Sequence, residues 1–214
     1  MNYPWFESCE FSGPTAISIR HAEREPIHRY ADAFDAPLTE KGKADAHRFG
    51  RSMRQINPVK LYHSPVLRCE QTAEGICTGI LSLSRQAAVA GSIFDLGGPY
   101  IAGPWHEIAA SIERYGHSTF VRKWFNDEFP PDFIMPLDQA AESQLQILMS
   151  QLRLGDSSAI NVTHDWNIMI LREYYFNLRH EDIGEPAYLD GFCAFVRDDA
   201  LHLIYHEHEK VIRL

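Results

Sequence analysis

The sequence is poor in cysteine, short of positive charge and without any long apolar run. Its four cysteines, Cys9, Cys69, Cys77 and Cys193, are scattered and show no Cys-x-x-Cys spacing. A disulfide framework or a zinc site of ordinary spacing is therefore not expected, and the thiols read as reduced. No apolar stretch approaches the roughly 20 residues that span a bilayer. The opening Met1-Asn2-Tyr3-Pro4-Trp5-Phe6-Glu7 lacks the basic region and apolar core of a secretory signal. These absences predict a soluble, cytoplasmic protein with no membrane partner. Lysine and arginine number 20 against 29 acidic residues, a formal charge of -9, so no nucleic-acid partner is expected either. Gly97-Gly98 is not a dinucleotide fingerprint, because no Gly-x-Gly-x-x-Gly follows a strand. No repeat or low-complexity segment appears. With 214 residues, 45% hydrophobic and 23% charged, the chain reads as one globular domain over 1–214.

An acidic protein that binds an anion must gather its positive charge locally, and one stretch does so. The apolar run Thr15-Ala16-Ile17-Ser18-Ile19 ends abruptly in Arg20-His21-Ala22-Glu23-Arg24-Glu25-Pro26. This places two guanidiniums and an imidazole at the carboxyl end of a strand, where open α/β sheets bind ligands. Each planar guanidinium can hold two anionic oxygens, which suits a phosphate and leaves the ring available for chemistry.

Further along, hydrophobic periodicity and capping residues predict alternating strands and helices. Residues 15–20 form a buried strand, and residues 25–38 a loop. Thr39 caps a helix in which Ala44, Phe49 and Met53 share an apolar face. Lys60 to Ser64 is a second strand, followed by Pro65 and a helix over 66–80. Ala87 to Phe94 is a third strand, broken by Asp95-Leu96-Gly97-Gly98-Pro99. The aromatic-rich segment 97–136 reads as a cap inserted over the sheet edge, or as a peripheral helical pair of the core. A helix over 137–153 leads to a fourth strand, Ser158 to Thr163, which ends in His164-Asp165 and is followed by a helix over 166–177. Phe192 to Val196 and Leu201 to Tyr205 form a hairpin turned at Asp198-Asp199. The alternation predicts an α/β fold, a three-layer α/β/α sandwich with a mostly parallel central sheet. In such a sheet Arg20-His21, Ser64-Pro65 with Arg68, and His164-Asp165 gather on one edge.

Here the residues carry a resemblance. The heptad Arg20 to Pro26 is similar to the Arg-His-Gly-x-Arg-x-Pro signature of the histidine phosphatase superfamily, in its acid phosphatase and phytase branch. Leu38-Thr39-Glu40-Lys41-Gly42 resembles that superfamily's first-helix start, and Ser64 to Ala73 its second arginine motif. Thr163-His164-Asp165 resembles the His-Asp pair of the acid phosphatase branch. The match covers about residues 15–80 and 158–177, in the right order. Two features depart from it: Ala22 replaces the usual glycine, and the chain is nearer in size to the phosphoglycerate mutase-like branch than to secreted acid phosphatases.

The resemblance implies a phosphoglycerate mutase-like fold and a phosphatase that hydrolyses a small phosphorylated substrate through a covalent phosphohistidine. His21 is then the nucleophile, and Arg20, Arg24, Arg68 and His164 bind the phosphate. The proton for the leaving alkoxide comes from Asp165, as in the acid phosphatase pattern, or from Asp95, near where the mutase-like branch takes its acid. With this density of cations no metal or other cofactor is expected. A phosphomutase on the same chemistry ranks lower, because Asp95 to Ile101 lacks the glutamate-rich segment of the mutase-like branch. A silent module that only holds a phosphorylated ligand ranks lower too, because none of the expected side chains is missing.

Other conspicuous residues have plainer readings. Glu23 and Glu25 balance the arginines or face solvent, and His28 and Arg29 read as residues of a solvated loop ahead of a contact to substrate. His63 reads as a core histidine or one behind the site, Ser64 as a turn residue ahead of a donor to phosphate, and Trp166 as a packing residue ahead of a wall of the pocket. The aromatics between Tyr100 and Phe133 read as cap core. His206-Glu207-His208-Glu209 lacks a third metal ligand at ordinary spacing and reads as a solvated strand end.

Overall fold

The computed structural model describes residues 4–7, 13–27 and 33–214; Cys9, His28 and Arg29 lie outside them. A short α1 (Pro4–Glu7) precedes β1 (Ala16–Arg20), α2 (Glu40–Ser52), β2 (Val59–His63), α3 (Leu67–Leu81) and β3 (Ala87–Ser92). Next come α4 (Trp105–Tyr115), α5 (His117–Phe125), α6 (Leu137–Leu154), β4 (Ser158–Thr163), α7 (Asp165–Phe176) and α8 (His180–Ile183). Three strands close the chain: β5 (Gly191–Arg197), β6 (Ala200–Tyr205) and β7 (His208–Arg213).

The seven strands form one sheet in the order β3-β2-β4-β1-β5-β6-β7. The half that includes β3, β2, β4 and β1 is parallel. From β1 outwards, β5, β6 and β7 are added antiparallel. The sheet is thus parallel where the predicted site lies and antiparallel on its far side. Ile17 and Ile19 point to one face, packing with Phe49 of α2 and Ile76 of α3. Ala16 points to the other, with Leu145 and Leu148 of α6 and Ile168 of α7. Period-two alternation along a strand buried on both faces gives the three layers.

Thr39 caps α2 as expected, its Oγ1 accepting from Gly42 N at 2.9 Å. The buried face of that helix differs from the predicted one. Ala44 is exposed, while Ala46, Phe49, Gly50 and Met53 are buried. Their i, i+3, i+4, i+7 spacing is the true helical stripe, and it includes a glycine that a hydrophobicity count overlooks. A Cβ on Gly50 would lie 2.1 Å from the Ile76 carbonyl oxygen of α3. Because the obstacle is backbone, it cannot move aside cheaply. Gly50→Ala is therefore expected to lower stability by about 1–3 kcal/mol, although alanine gains ~1 kcal/mol of helix propensity. The urea midpoint measures this, and an unchanged or raised midpoint would contradict the close approach of α2 and α3.

The third predicted strand ends early, at Ser92, and Phe94–Leu96 forms a 3-10 turn. The hairpin turns where expected, with Asp198 and Asp199 at φ 51° and 57°, the positive values a tight two-residue hairpin turn requires. Beyond it, β7 is a strand within the run read as a solvated end. His206 sits in the turn before β7, its Nε2 2.8 Å from Asp190 Oδ1, and so is engaged by that carboxylate rather than by a metal site. Segment 97–136 holds the helical pair α4 and α5. Phe120, Trp124 and Tyr100 pack there with Trp166 and Met169 of α7. Among the described residues no helix is long and apolar enough to cross a membrane.

Candidate active site

β1 and β4 run parallel with Arg20 level with Thr163. The residues that leave the two strands, His21 and His164, therefore emerge side by side, with ring centroids 5.6 Å apart. The first turn of α3 brings Arg68 to both. Its Nε donates to His21 Nε2 and its Nη2 to His164 Nδ1, each at 3.0 Å. Its Nη1 donates to the Ala33 carbonyl.

These contacts fix both tautomers, because an arginine can only donate. His21 Nδ1–H donates to its neighbour's carbonyl, Ala22 O, at 2.7 Å, which leaves Nε2 as a lone pair facing the cleft. His164 accepts at Nδ1, so its Nε2–H donates to Ser64 Oγ at 2.9 Å. Burial, then His164 and then Arg68 hold the His21 pKa well below its ordinary value. His164 is lowered to about 3, by burial first and the Arg68 charge second. Both rings are neutral in the fold at neutral pH.

The acid dependence of stability follows from this. Unfolded, the rings protonate below about pH 6.5. Between that value and the folded-state values the unfolded chain binds more protons, so stability falls as pH drops. Each ring contributes up to about 1.4 kcal/mol per pH unit. Urea midpoints at about pH 7.5 and 5 test this, and His164→Gln is expected to flatten the slope. An equal midpoint at both values in the unmodified protein would contradict neutral, buried rings.

Arg20 ends β1 and is 8% exposed. Its Nη2 pairs with Asp165 Oδ2 at 2.8 Å, its Nη1 donates to Pro186 O, and its guanidinium lies 4.6 Å from the centre of the Tyr188 ring. Its buried Nε has no partner. Asp165 is the first residue of α7, and its Oδ1 accepts from Trp166 N at 2.9 Å. Burial pushes the Asp165 pKa up, but Arg20 and His164 outweigh it, and the carboxyl sits below its usual value. The carboxylate at the start of a helix also faces the positive end of the helix dipole.

The signature loop is held from behind. Thr39 N donates to Glu23 O at 3.0 Å, and Lys41 Nζ lies 2.9 Å from Glu23 Oε2. A Cβ on Gly42 would meet Glu23 O at 1.9 Å, so only glycine lets α2 approach the loop this closely. Glu23 is thus a support for the loop, while Glu25 is exposed. His63 is buried, with its Nδ1–H donating to Ser64 O at 2.9 Å.

Arg20, His21, Arg24, Arg68, His164 and Asp165 all line one cleft of about 440 Å³. Asp95 does not. It is exposed on the 3-10 turn and lies outside the cleft lining. The turn directs backbone inward instead: Gln144 Nε2 donates to Asp95 O at 2.8 Å, and Thr163 Oγ1 and Asn167 Nδ2 donate to Leu96 O. With the carbonyls engaged by the core, the Asp95 side chain faces solvent.

The cleft also holds His117 and Glu185, which sequence reasoning did not single out. Trp166 both packs and lines it, with Nε1 donating to His117 Nε2 at 2.8 Å. His117 Nδ1 in turn lies 3.1 Å from Glu185 Oε1. His117 and Glu185 stand far from any strand end, so no edge-of-sheet argument reaches them. Elsewhere, Glu173, His180 and Glu181 bring ligand-type atoms within 4.8 Å of one another. Arg122 pairs with both carboxylates there, at 2.8 Å from Glu173 and bidentate on Glu181. This is an ion-pair network rather than a metal centre.

The profile described as "Histidine phosphatase superfamily (branch 1)" matches residues 17–87. The matching branch is therefore the first, and not the acid phosphatase branch that the heptad resembles. No curated protein matches this chain. Among solved structures, the chain is similar to Bacillus stearothermophilus YhfR at 20% identity and TM-score 0.59, covering 91% of this chain and 98% of that one. It is similar to a phosphoserine phosphatase mutant from Entamoeba histolytica at 17% identity and TM-score 0.58, covering 92% and 94%. For the phosphoglycerate mutase of Bacillus anthracis the values are 13%, 0.53, and 96% and 95%. These likenesses show a shared phosphoglycerate mutase-like fold. The Arg-His strand end and the second arginine motif both lie inside the segment that matches the histidine phosphatase superfamily (branch 1).

Proposed function

We propose that this protein is a phosphatase that hydrolyses a phosphomonoester of a small metabolite through a phosphohistidine at His21. One observation carries this reading: the His21 Nε2 lone pair is fixed toward a cleft lined by Arg20, Arg24, Arg68 and His164. A substrate phosphate displaces the Arg68 Nε–H from His21 Nε2 and takes that donor for its own oxygens. The nitrogen then attacks phosphorus in line, while the arginines hold the charge that spreads over the non-bridging oxygens. Arg20 Nε, buried and unpartnered, is a further donor for that charge. The bound dianion also favours protonated His164, which then donates at Nδ1 as well.

Asp165 supplies the proton to the leaving alkoxide and afterwards takes one from the attacking water. Segment 97–136 acts as the cap, since Tyr100, Ile101, Trp105, Ile112 and His117 all line the same cleft. This density of cations does the charge-neutralising work for which other phosphatases use metal ions, so the activity should persist in chelator.

The test is phosphate release from a panel of monoesters together with acid-free quenching and peptide mass analysis. The expected result is an acid-labile phosphoryl group on the peptide containing His21. Phosphate release with no adduct, or with one elsewhere, would overturn the mechanism. Isomerised substrate in place of free phosphate would instead make the protein a mutase.

A further inference from the structure

Arg20 Nη2 pairs with Asp165, and on the phosphatase reading it gives up that partner to take phosphate oxygens. A long side chain that loses its ion pair is ordinarily free to turn, and fixing it again weakens binding. The contacts that remain once Asp165 is released come from one short segment, Gly184 to Asp190, between α8 and β5.

That segment holds Arg20 at its backbone and at its guanidinium. Arg20 N donates to Asp190 O at 2.8 Å, and Leu189 N donates to Arg20 O at 3.2 Å. The Pro186 carbonyl accepts from Nη1, and the Tyr188 ring covers the guanidinium at 4.6 Å. The same ring lies 5.7 Å from that of His21. The edge left for an anion is the one formed by Nη2 and by Nε, which is buried and without a partner among the described residues. This is the side-on fork of a guanidinium, whose two N–H bonds fit two oxygens of one phosphate. The segment keeps its shape against local preference. Leu189 has φ 63°, a left-handed value that is unfavourable for a residue with a side chain. Anchors on either side hold it there: the buried Arg172 donates from Nη2 to Gly184 O at 2.7 Å, and Asp190 Oδ2 accepts from Tyr205 OH at 2.7 Å.

Resting on the phosphatase reading, we infer that Tyr188 is a positioning residue whose ring holds the Arg20 guanidinium in its phosphate-binding plane while Nη2 exchanges Asp165 for a phosphate oxygen. Nη1 stays on Pro186, so the exchange needs no rotation of the group. An aromatic face attracts the cation without occupying any of its N–H donors, and the whole fork stays available. A carboxylate in the same place would instead compete with the phosphate for those donors. Tyr188 is 37% exposed, so its replacement leaves the buried core in place.

The test is a double-mutant cycle between Tyr188 and Arg20. It is read as the dissociation constant of inorganic phosphate by calorimetry and as kcat/KM for 4-nitrophenyl phosphate. Tyr188→Leu is expected to weaken phosphate binding and to lower kcat/KM by about five- to tenfold. Tyr188→Phe, which restores the ring, is expected to recover both to within about twofold. In an Arg20→Ala background the Tyr188→Leu change is expected to cost less than about twofold, because the group it positions is gone. Should Tyr188→Leu fail to fold, Tyr188→Gln takes its place in the cycle. An equal cost in both backgrounds, a loss in Tyr188→Phe as large as in Tyr188→Leu, or no loss in Tyr188→Leu would overturn this inference and leave the phosphatase reading standing. If the unmodified protein neither binds inorganic phosphate nor releases it from any monoester, both fall.

Discussion

Replacing His21 with alanine is expected to lower kcat/KM for every phosphomonoester by about 10⁴-fold or more and to abolish the phosphorylated protein. The size of the effect follows from what the remaining residues can do. On the proposed mechanism Arg20, Arg24, Arg68 and His164 are expected still to bind phosphate, so ground-state affinity should survive. Yet water must then replace an imidazole nitrogen aimed at the cleft, and no other described residue of the cleft offers a free lone pair at that point. His164 cannot substitute, because its Nδ1 is occupied by Arg68 and its Nε2–H by Ser64. Stopped-time phosphate release, with phosphate binding measured in parallel, separates the two contributions. A variant that keeps binding and more than about a tenth of the activity would show that His21 is a ligand and not the nucleophile.

The second large effect is expected at Asp165, and it depends on the substrate. Asp165→Asn should cost about 10²–10³-fold for esters of poor leaving groups such as alkyl alcohols, and about tenfold or less for 4-nitrophenyl phosphate. The reason lies in the Arg20–Asp165 pair at 2.8 Å. Burial alone would raise the Asp165 pKa, but Arg20 and His164 draw it below its usual value, so the carboxyl is ionised when no anion competes for Arg20. A phosphate dianion takes Arg20 for its own oxygens and places negative charge beside Asp165. Both effects raise its proton affinity, so the substrate itself converts Asp165 into an acid. Asparagine keeps the shape and a contact to Arg20 but has no acidic proton to give to the leaving oxygen. A plot of log kcat against leaving-group pKa should therefore steepen in the variant. A uniform loss for all leaving groups would make Asp165 only a positioning partner of Arg20.

The distance between reading and structure is greatest where tertiary contacts outrank local chemistry. Asp95 had the right residue type at the end of a predicted strand. Which way it faces is set by Leu96 O and Asp95 O, whose partners are Thr163, Asn167 and Gln144, residues about 50 to 70 positions away. Periodicity places Ala44 on the apolar face of α2 with Phe49 and Met53, whereas the buried stripe passes through Gly50, whose value is its lack of a side chain against α3. His117 and Glu185 belong to no motif, and they meet only because Trp166 projects from α7 toward the start of α5.

What the sequence determined by itself was the parallel half of the sheet and the arginine-histidine cluster of the cleft. Apolar strands that stop at Arg20-His21 and His164-Asp165 can bury themselves only as central strands, and parallel neighbours bring their carboxyl ends to one edge. Arg68 is the second residue of α3, which follows β2 after a short turn, so local geometry carries it to the same place. Those juxtapositions depend on backbone periodicity and strand direction, which are written in consecutive residues. Only the tertiary structure decided the tautomers of the two histidines, the choice between Asp165 and Asp95 as cleft residue, and the remaining walls of the cleft. Each of these depends on side chains from distant segments competing for the same few hydrogen bonds and the same buried space, and no stretch of sequence records the outcome of that competition.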